Sequence, residues 1–88
     1  MPVSVTDELT YVQAATLRRL RENKGITLRQ TSKEAYISVS FLSEIELGSK
    51  NPSPQTIGTL LNYYGLTADD WYKEQHFTLI GKGKETNE

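Results

Sequence analysis

Few side chains in this sequence come in sets that do covalent chemistry. There is no cysteine, so thiolate zinc sites and cysteine nucleophiles are excluded. The one histidine, His76, lies in a polar stretch beside Phe77 and reads as a surface residue rather than a ligand. Asp69 and Asp70 are adjacent; on a helix they would point about 100° apart, and they suit a helix dipole better than acid–base work. The run Gly81-Lys82-Gly83-Lys84-Glu85-Thr86 carries glycine and lysine without the G-x-x-x-x-G-K-[ST] spacing of a phosphate loop, and no strand-loop-helix context surrounds it. No enzyme, metal site or cofactor is therefore expected. What remains is charge. From Leu17 to Asn51 seven basic residues (Arg18, Arg19, Arg21, Lys24, Arg29, Lys33, Lys50) face four acidic ones, a net +3, in a chain whose total is −1. A basic segment inside an acidic chain suits contact with a polyanion, and a solvated helical face is the plainer alternative.

Helices must position that charge. An N-terminal arm is expected over residues 1–8. A first helix follows, capped by Asp7 or Thr10, with Leu9, Val12, Thr16, Leu17 and Leu20 on one side and an end at Gly25. Thr27 caps a second helix through Ala35, with Gln30 at the N3 position of a capping box. After Tyr36-Ile37, Ser38 caps a third, Val39 to Leu47, whose Leu42 and Ile45 face inward; Gly48 stops it. Ser49 to Pro54 is a loop, and Ser53 with Pro54 starts a fourth helix bearing Ile57, Leu60, Leu61 and Tyr64, ended by Gly65. Thr67 caps a short fifth helix containing Trp71, a core residue. Phe77 to Ile80 reads as a brief strand-like run, and Gly81 to Glu88 as a disordered polar tail.

The short link between the second and third helices makes them cross steeply, so that Ala35, Ile37, Leu42 and Ile45 meet in one corner. The outer face of the third helix then carries Val39, Ser40 and Ser43. These side chains are short enough for the helix axis to approach a groove closely, and a B-form major groove admits one α-helix.

Size sets the remaining bounds. With 88 residues, 36% of them hydrophobic and 24% charged, the chain makes one domain. A chain this short buries only about 60% of its unfolded surface, which leaves a thin stability margin. No apolar run approaches the roughly 18 residues of a membrane span, and the start lacks the pattern of a signal peptide, so a cytoplasmic protein is expected.

The run Leu17-Arg18-Arg19-Leu20-Arg21-Glu22-Asn23-Lys24-Gly25-Ile26-Thr27, with Ile37-Ser38, Phe41-Leu42-Ser43, Ile45-Glu46, Gly48, Asn51-Pro52-Ser53 and Gly65-Leu66, resembles the lambda-repressor-like helix-turn-helix family, also called the Xre type (Cro/cI type). The resemblance covers about Ala15 to Tyr72. The segment from Thr27 to Glu46 is also a little similar to actinobacterial regulators of Clp-protease genes, a likeness on which no functional expectation rests.

The resemblance implies an all-α, compact five-helix domain over 9–74 that binds double-stranded DNA as a transcriptional regulator, a repressor by family habit, encoded by a bacterium or phage and associated with the nucleoid. It places Val39, Ser40, Ser43 and Glu44 at base-reading positions. Thr27, Leu28 and Arg29 at the second helix N-terminus, Ser38, and Ser49, Lys50 and Asn51 after the third helix fall at phosphate contacts. Arg21 and Glu46 occupy positions that often form a partly buried ion pair. Glu44 either accepts from a cytosine amino group or pairs with Lys33 or Lys50.

Three positions depart from the family pattern. Leu28 stands where glutamine is frequent, Thr31-Ser32 where Leu-Ala is usual, and Tyr36 where glycine is common in the turn. A tyrosine at positive φ costs about 1 kcal/mol or more; the expectation is a slightly rearranged turn, the ring covering an apolar edge or stacking beside the DNA backbone. A homodimer on two half-sites is expected, joined through the last helix and residues 77–80 of a C-terminal extension at 75–88, or through the arm. The alternative is an antitoxin or phage-type modulator that acts on a protein partner.

Overall fold

The computed structural model describes the backbone of residues 5–87 and the side chains of residues 9–81. Five helices follow in order: α1 (Val5–Asn23), α2 (Leu28–Ala35), α3 (Val39–Leu47), α4 (Pro54–Tyr64) and α5 (Ala68–Asn87). The described residues contain no strand, and among them no helix is long and apolar enough to cross a membrane.

Local chemistry sets the boundaries. The hydroxyls of Thr27, Ser38 and Ser53 each accept the amide of the residue three further on, at 3.0, 3.1 and 3.2 Å. The α2 box is only half formed, because the Gln30 amide group turns to Glu34 (3.4 Å) instead of reaching back. A reciprocal box closes at α5 instead: the Asp70 amide donates to Thr67 Oγ1 (3.1 Å) and the Thr67 amide to Asp70 Oδ2 (3.0 Å). Hydrogen bonding from the Thr67 amide first, and then from the Thr67 side chain, holds the Asp70 carboxyl below its usual range. Gly48 closes α3 at φ 81°, donating to the Glu44 and Ile45 carbonyls, a left-handed geometry that favours glycine.

The core gathers one wedge from each of four helices. Leu17, Leu42, Ile45 and Leu60 are each 1% exposed, and Leu20, Leu61, Tyr64 and Trp71 complete the cluster. Burying each such side chain is worth about 1.5–3 kcal/mol before chain entropy is subtracted. α1 is the common wall against which both α3 and α5 pack, while α2 packs on α3 and α4.

Several expectations need correction. The strand-like run Phe77–Ile80 is helix, and α5 continues to Asn87 where a disordered tail was expected. Its inward positions are polar rather than apolar, which hides the helical period. Thr78 Oγ1 meets Thr16 Oγ1 at 2.7 Å, and Arg19 donates to the Glu74 carbonyl at 2.9 Å. α1 begins at Val5, ahead of the expected caps. Of the arm expected at 1–8, residues 5–8 are helical; residues 1–4 and Glu88 lie outside the described residues. Leu9 is 56% exposed, not inward, because it precedes the first core position, Val12. Tyr36 takes the left-handed conformation itself, at φ 60° and ψ 43°, donating its amide to the Ser32 carbonyl. The turn keeps the glycine-type geometry, and at 94% exposure the ring covers no apolar edge.

Candidate nucleic-acid interface

α3 is fixed from behind. Leu42 and Ile45 enter the core, and Arg21 grips Glu46 in a two-pronged pair, Nε to Oε2 at 2.8 Å and Nη2 to Oε1 at 3.0 Å. The third prong, Nη1, donates to the Ile26 carbonyl at 2.8 Å. One guanidinium thus ties α1, the connection into α2, and α3. The hydrogen bond to Glu46 holds the Arg21 pKa above its ordinary value against the opposing effect of burial. Both side chains are largely screened from water, with 13% and 6% of their surface accessible.

That anchoring leaves the outward face of α3 available. Val39 and Ser40 are exposed, and Ser43 and Glu44 are half-buried. Ser43 lines an open groove together with Leu28, Arg18, Arg21, Glu46 and Leu47. Glu44 Oε1 lies 3.9 Å from Lys50 Nζ, so of the two lysines considered for it, Lys50 is the one in reach. At α2 the half-buried Leu28 packs against the core, while Arg29 is exposed. The Thr27 and Ser38 hydroxyls accept cap amides and retain their own O–H hydrogens as donors. The amides of Leu28, Arg29, Val39 and Ser40 open their helices, where no intrahelical acceptor exists. Helix starts of this kind attract anions.

The loop after α3 is less open than its composition suggests. The Ser49 amide (3.0 Å), the Ser49 hydroxyl (3.2 Å) and the Lys50 amide (3.4 Å) all donate to the Glu44 carbonyl. Asn51 Oδ1 accepts the Thr10 hydroxyl at 2.6 Å. Thr10 is absent from the residues that sequence reasoning placed near this surface, and no local signal points to it, since the contact spans 41 positions. Arg18 was also passed over. Its place in the basic segment one turn before Arg21 is the signal that could have marked it.

A short left-handed turn between two capped helices, the second held from behind and bare in front, is a helix-turn-helix. The chain belongs to the helix-turn-helix domain family, whose profile matches residues 14–71. It is 43% identical over 54 residues to the HTH-type transcriptional regulator DdrOP3 of Deinococcus deserti, covering 61% of this chain and 42% of that protein. It is likewise 43% identical over 44 residues to the transcriptional regulator ClgR of Mycobacterium tuberculosis, covering 50% of this chain and 39% of the relative. The chain thus spans about two fifths of the length of these curated relatives. Among solved structures, the clp gene regulator ClgR from Corynebacterium glutamicum superposes with a TM-score of 0.77 at 26% identity, over 90% of this chain and 84% of that one. A second structure of that regulator gives 0.72 at 30% identity, over 80% and 90%.

Proposed function

We propose that this domain binds double-stranded DNA as a transcriptional regulator, with α3 as the helix that lies in the major groove. The observation that carries this reading is the contrast between the two sides of α3. Its back is locked by Leu42, Ile45 and the Arg21–Glu46 pair, and its front presents Val39, Ser40 and Ser43, short enough for the axis to approach base edges, with Glu44 beside them in reach of Lys50. The amides opening α2, the Thr27 and Ser38 hydroxyls, and the Arg29 and Lys50 charges serve the phosphates. The regulators to which the chain is similar support the same role.

The active species on DNA is a homodimer on two half-sites, since one such short-armed module reads too few bases to select a genomic site. Tyr72, Phe77, Leu79 and Ile80 leave an exposed apolar face on α5 for the second copy. The test is duplex affinity as a function of salt, followed by selection of preferred sites from a random pool. Affinity falls steeply with salt; Lys50→Ala and Arg29→Ala each weaken every sequence and flatten the slope by about one, while Ser40→Ala and Ser43→Ala change which sequences are preferred. No duplex retardation even at low salt overturns the DNA reading, and a strict monomer on DNA by sedimentation overturns the dimer.

A further inference from the structure

An asparagine amide has two ends of equal size and opposite sense, a carbonyl that accepts and an NH2 that donates. Beside a phosphate only the NH2 end attracts, so an unrestrained asparagine spends part of its time offering the wrong one. Asn51 is exposed, but its carbonyl end is taken by the Thr10 hydroxyl at 2.6 Å. No acceptor for its NH2 is found among the described residues. Of its neighbours in the loop, the Ser49 amide, the Ser49 hydroxyl and the Lys50 amide are already used, all converging on the Glu44 carbonyl. Among the neutral side chains of Ser49 to Asn51, the donor left for a ligand is therefore Asn51 Nδ2. The residue that orients it comes from the other end of the domain. Because α1 starts at Val5, Thr10 sits in an established helical turn, a firm mount for a hydrogen bond.

We propose that Thr10 is a positioning residue for phosphate binding: by donating to Asn51 Oδ1 it turns the amide NH2 outward as an anion donor. The proposal rests on the DNA reading above and adds to it a residue outside the helix-turn-helix. It is tested with the full chain and a short random-sequence duplex at low salt, by band retardation, because a phosphate contact is independent of base sequence. Asn51→Ala weakens binding about tenfold and Thr10→Val about fivefold, the scale of one hydrogen bond to a charged acceptor. Thr10→Ser, which keeps the hydroxyl, binds within about twofold of the parent. In the Asn51→Ala background Thr10→Val causes no further loss, as coupled residues require. The salt slope stays constant throughout, since neither side chain is charged. Thr10→Val binding like the parent, or losing affinity equally with and without Asn51, overturns the proposal; the second result would mark Thr10 as merely structural. A parent chain that binds no duplex overturns the DNA reading and this inference with it, an outcome distinguishable because it needs no variant.

Discussion

α3 and α5 both rest on α1, but by different means. α3 is driven in by two aliphatic side chains, Leu42 and Ile45, each 1% exposed, and then locked by the Arg21–Glu46 fork. Among the described residues, α5 enters the core through Trp71 alone. Beyond it the helix is held by polar groups: Thr78 against Thr16, Arg19 against both the carbonyl and the carboxylate of Glu74 at 2.9 Å, and the Arg19 guanidinium 6.0 Å from the Phe77 ring centre. Apolar burial contributes a large, non-directional term, whereas each exchanged hydrogen bond nets only about 1 kcal/mol. The lesson is a division of labour: α3 shares the stability of the whole core, and the outer half of α5 can open on its own.

Alkali tests the core that α3 shares, through Tyr64 at the end of α4. Burial, and then the Glu46 charge, push the Tyr64 phenol from 10.0 to about 12. A raised pKa means that the neutral form is favoured on folding. The stabilisation is complete below pH 10 and is lost as pH climbs from there through about 12. Melting temperature is expected to drop across that window and to drop less in Tyr64→Phe; parallel curves would refute the assignment. Next in size, Glu46→Gln leaves the Arg21 fork without its counter-charge and costs about 2–3 kcal/mol by denaturant unfolding. Unchanged melting and DNA affinity would remove the lock from the comparison.

Thr78→Val probes the other side. It should cost about 1 kcal/mol and speed amide hydrogen exchange in the outer half of α5 while α3 amides stay protected. Equal acceleration in both helices would mean that they open as one unit, erasing the distinction. The smallest effect belongs to Tyr36→Gly, which relieves a left-handed tyrosine at φ 60° and should raise stability by less than about 1 kcal/mol, glycine's greater unfolded-state freedom offsetting part of the gain.

The same division explains what the sequence disclosed. Leu42 and Ile45 fall at helical spacing between Ser38 and Gly48, so α3, its caps and its inward face follow from pattern alone. In α5 the usual rule is inverted: Thr78 and Glu74 face the neighbouring helix, while Phe77, Leu79 and Ile80 stay exposed. A reading that seeks apolar residues inside finds no helical period there and sees a strand. At the interface, Arg21 with Glu46 and the hydroxyl caps were visible because their roles depend on nearby helix ends or on a recognised pattern. The Thr10–Asn51 bond was not, since it joins side chains 41 positions apart, and the Ser49 and Lys50 amides are spent on the Glu44 carbonyl by the particular path the chain takes after the left-handed Gly48. Tyr36 shows a further limit. Its type argued for a changed turn, yet the fold kept the turn and placed the strain on the residue.

Trp71 is the sole indole of the chain and sits 7% exposed where α5 joins the core. Its emission is therefore a built-in, label-free gauge of that joint, blue-shifted while the ring is dry and moving to longer wavelength when water reaches it. Since the polar clasp at Thr78 lies farther along the helix, fraying there should leave the colour unchanged, and a red shift would announce that the root of α5 itself has come away.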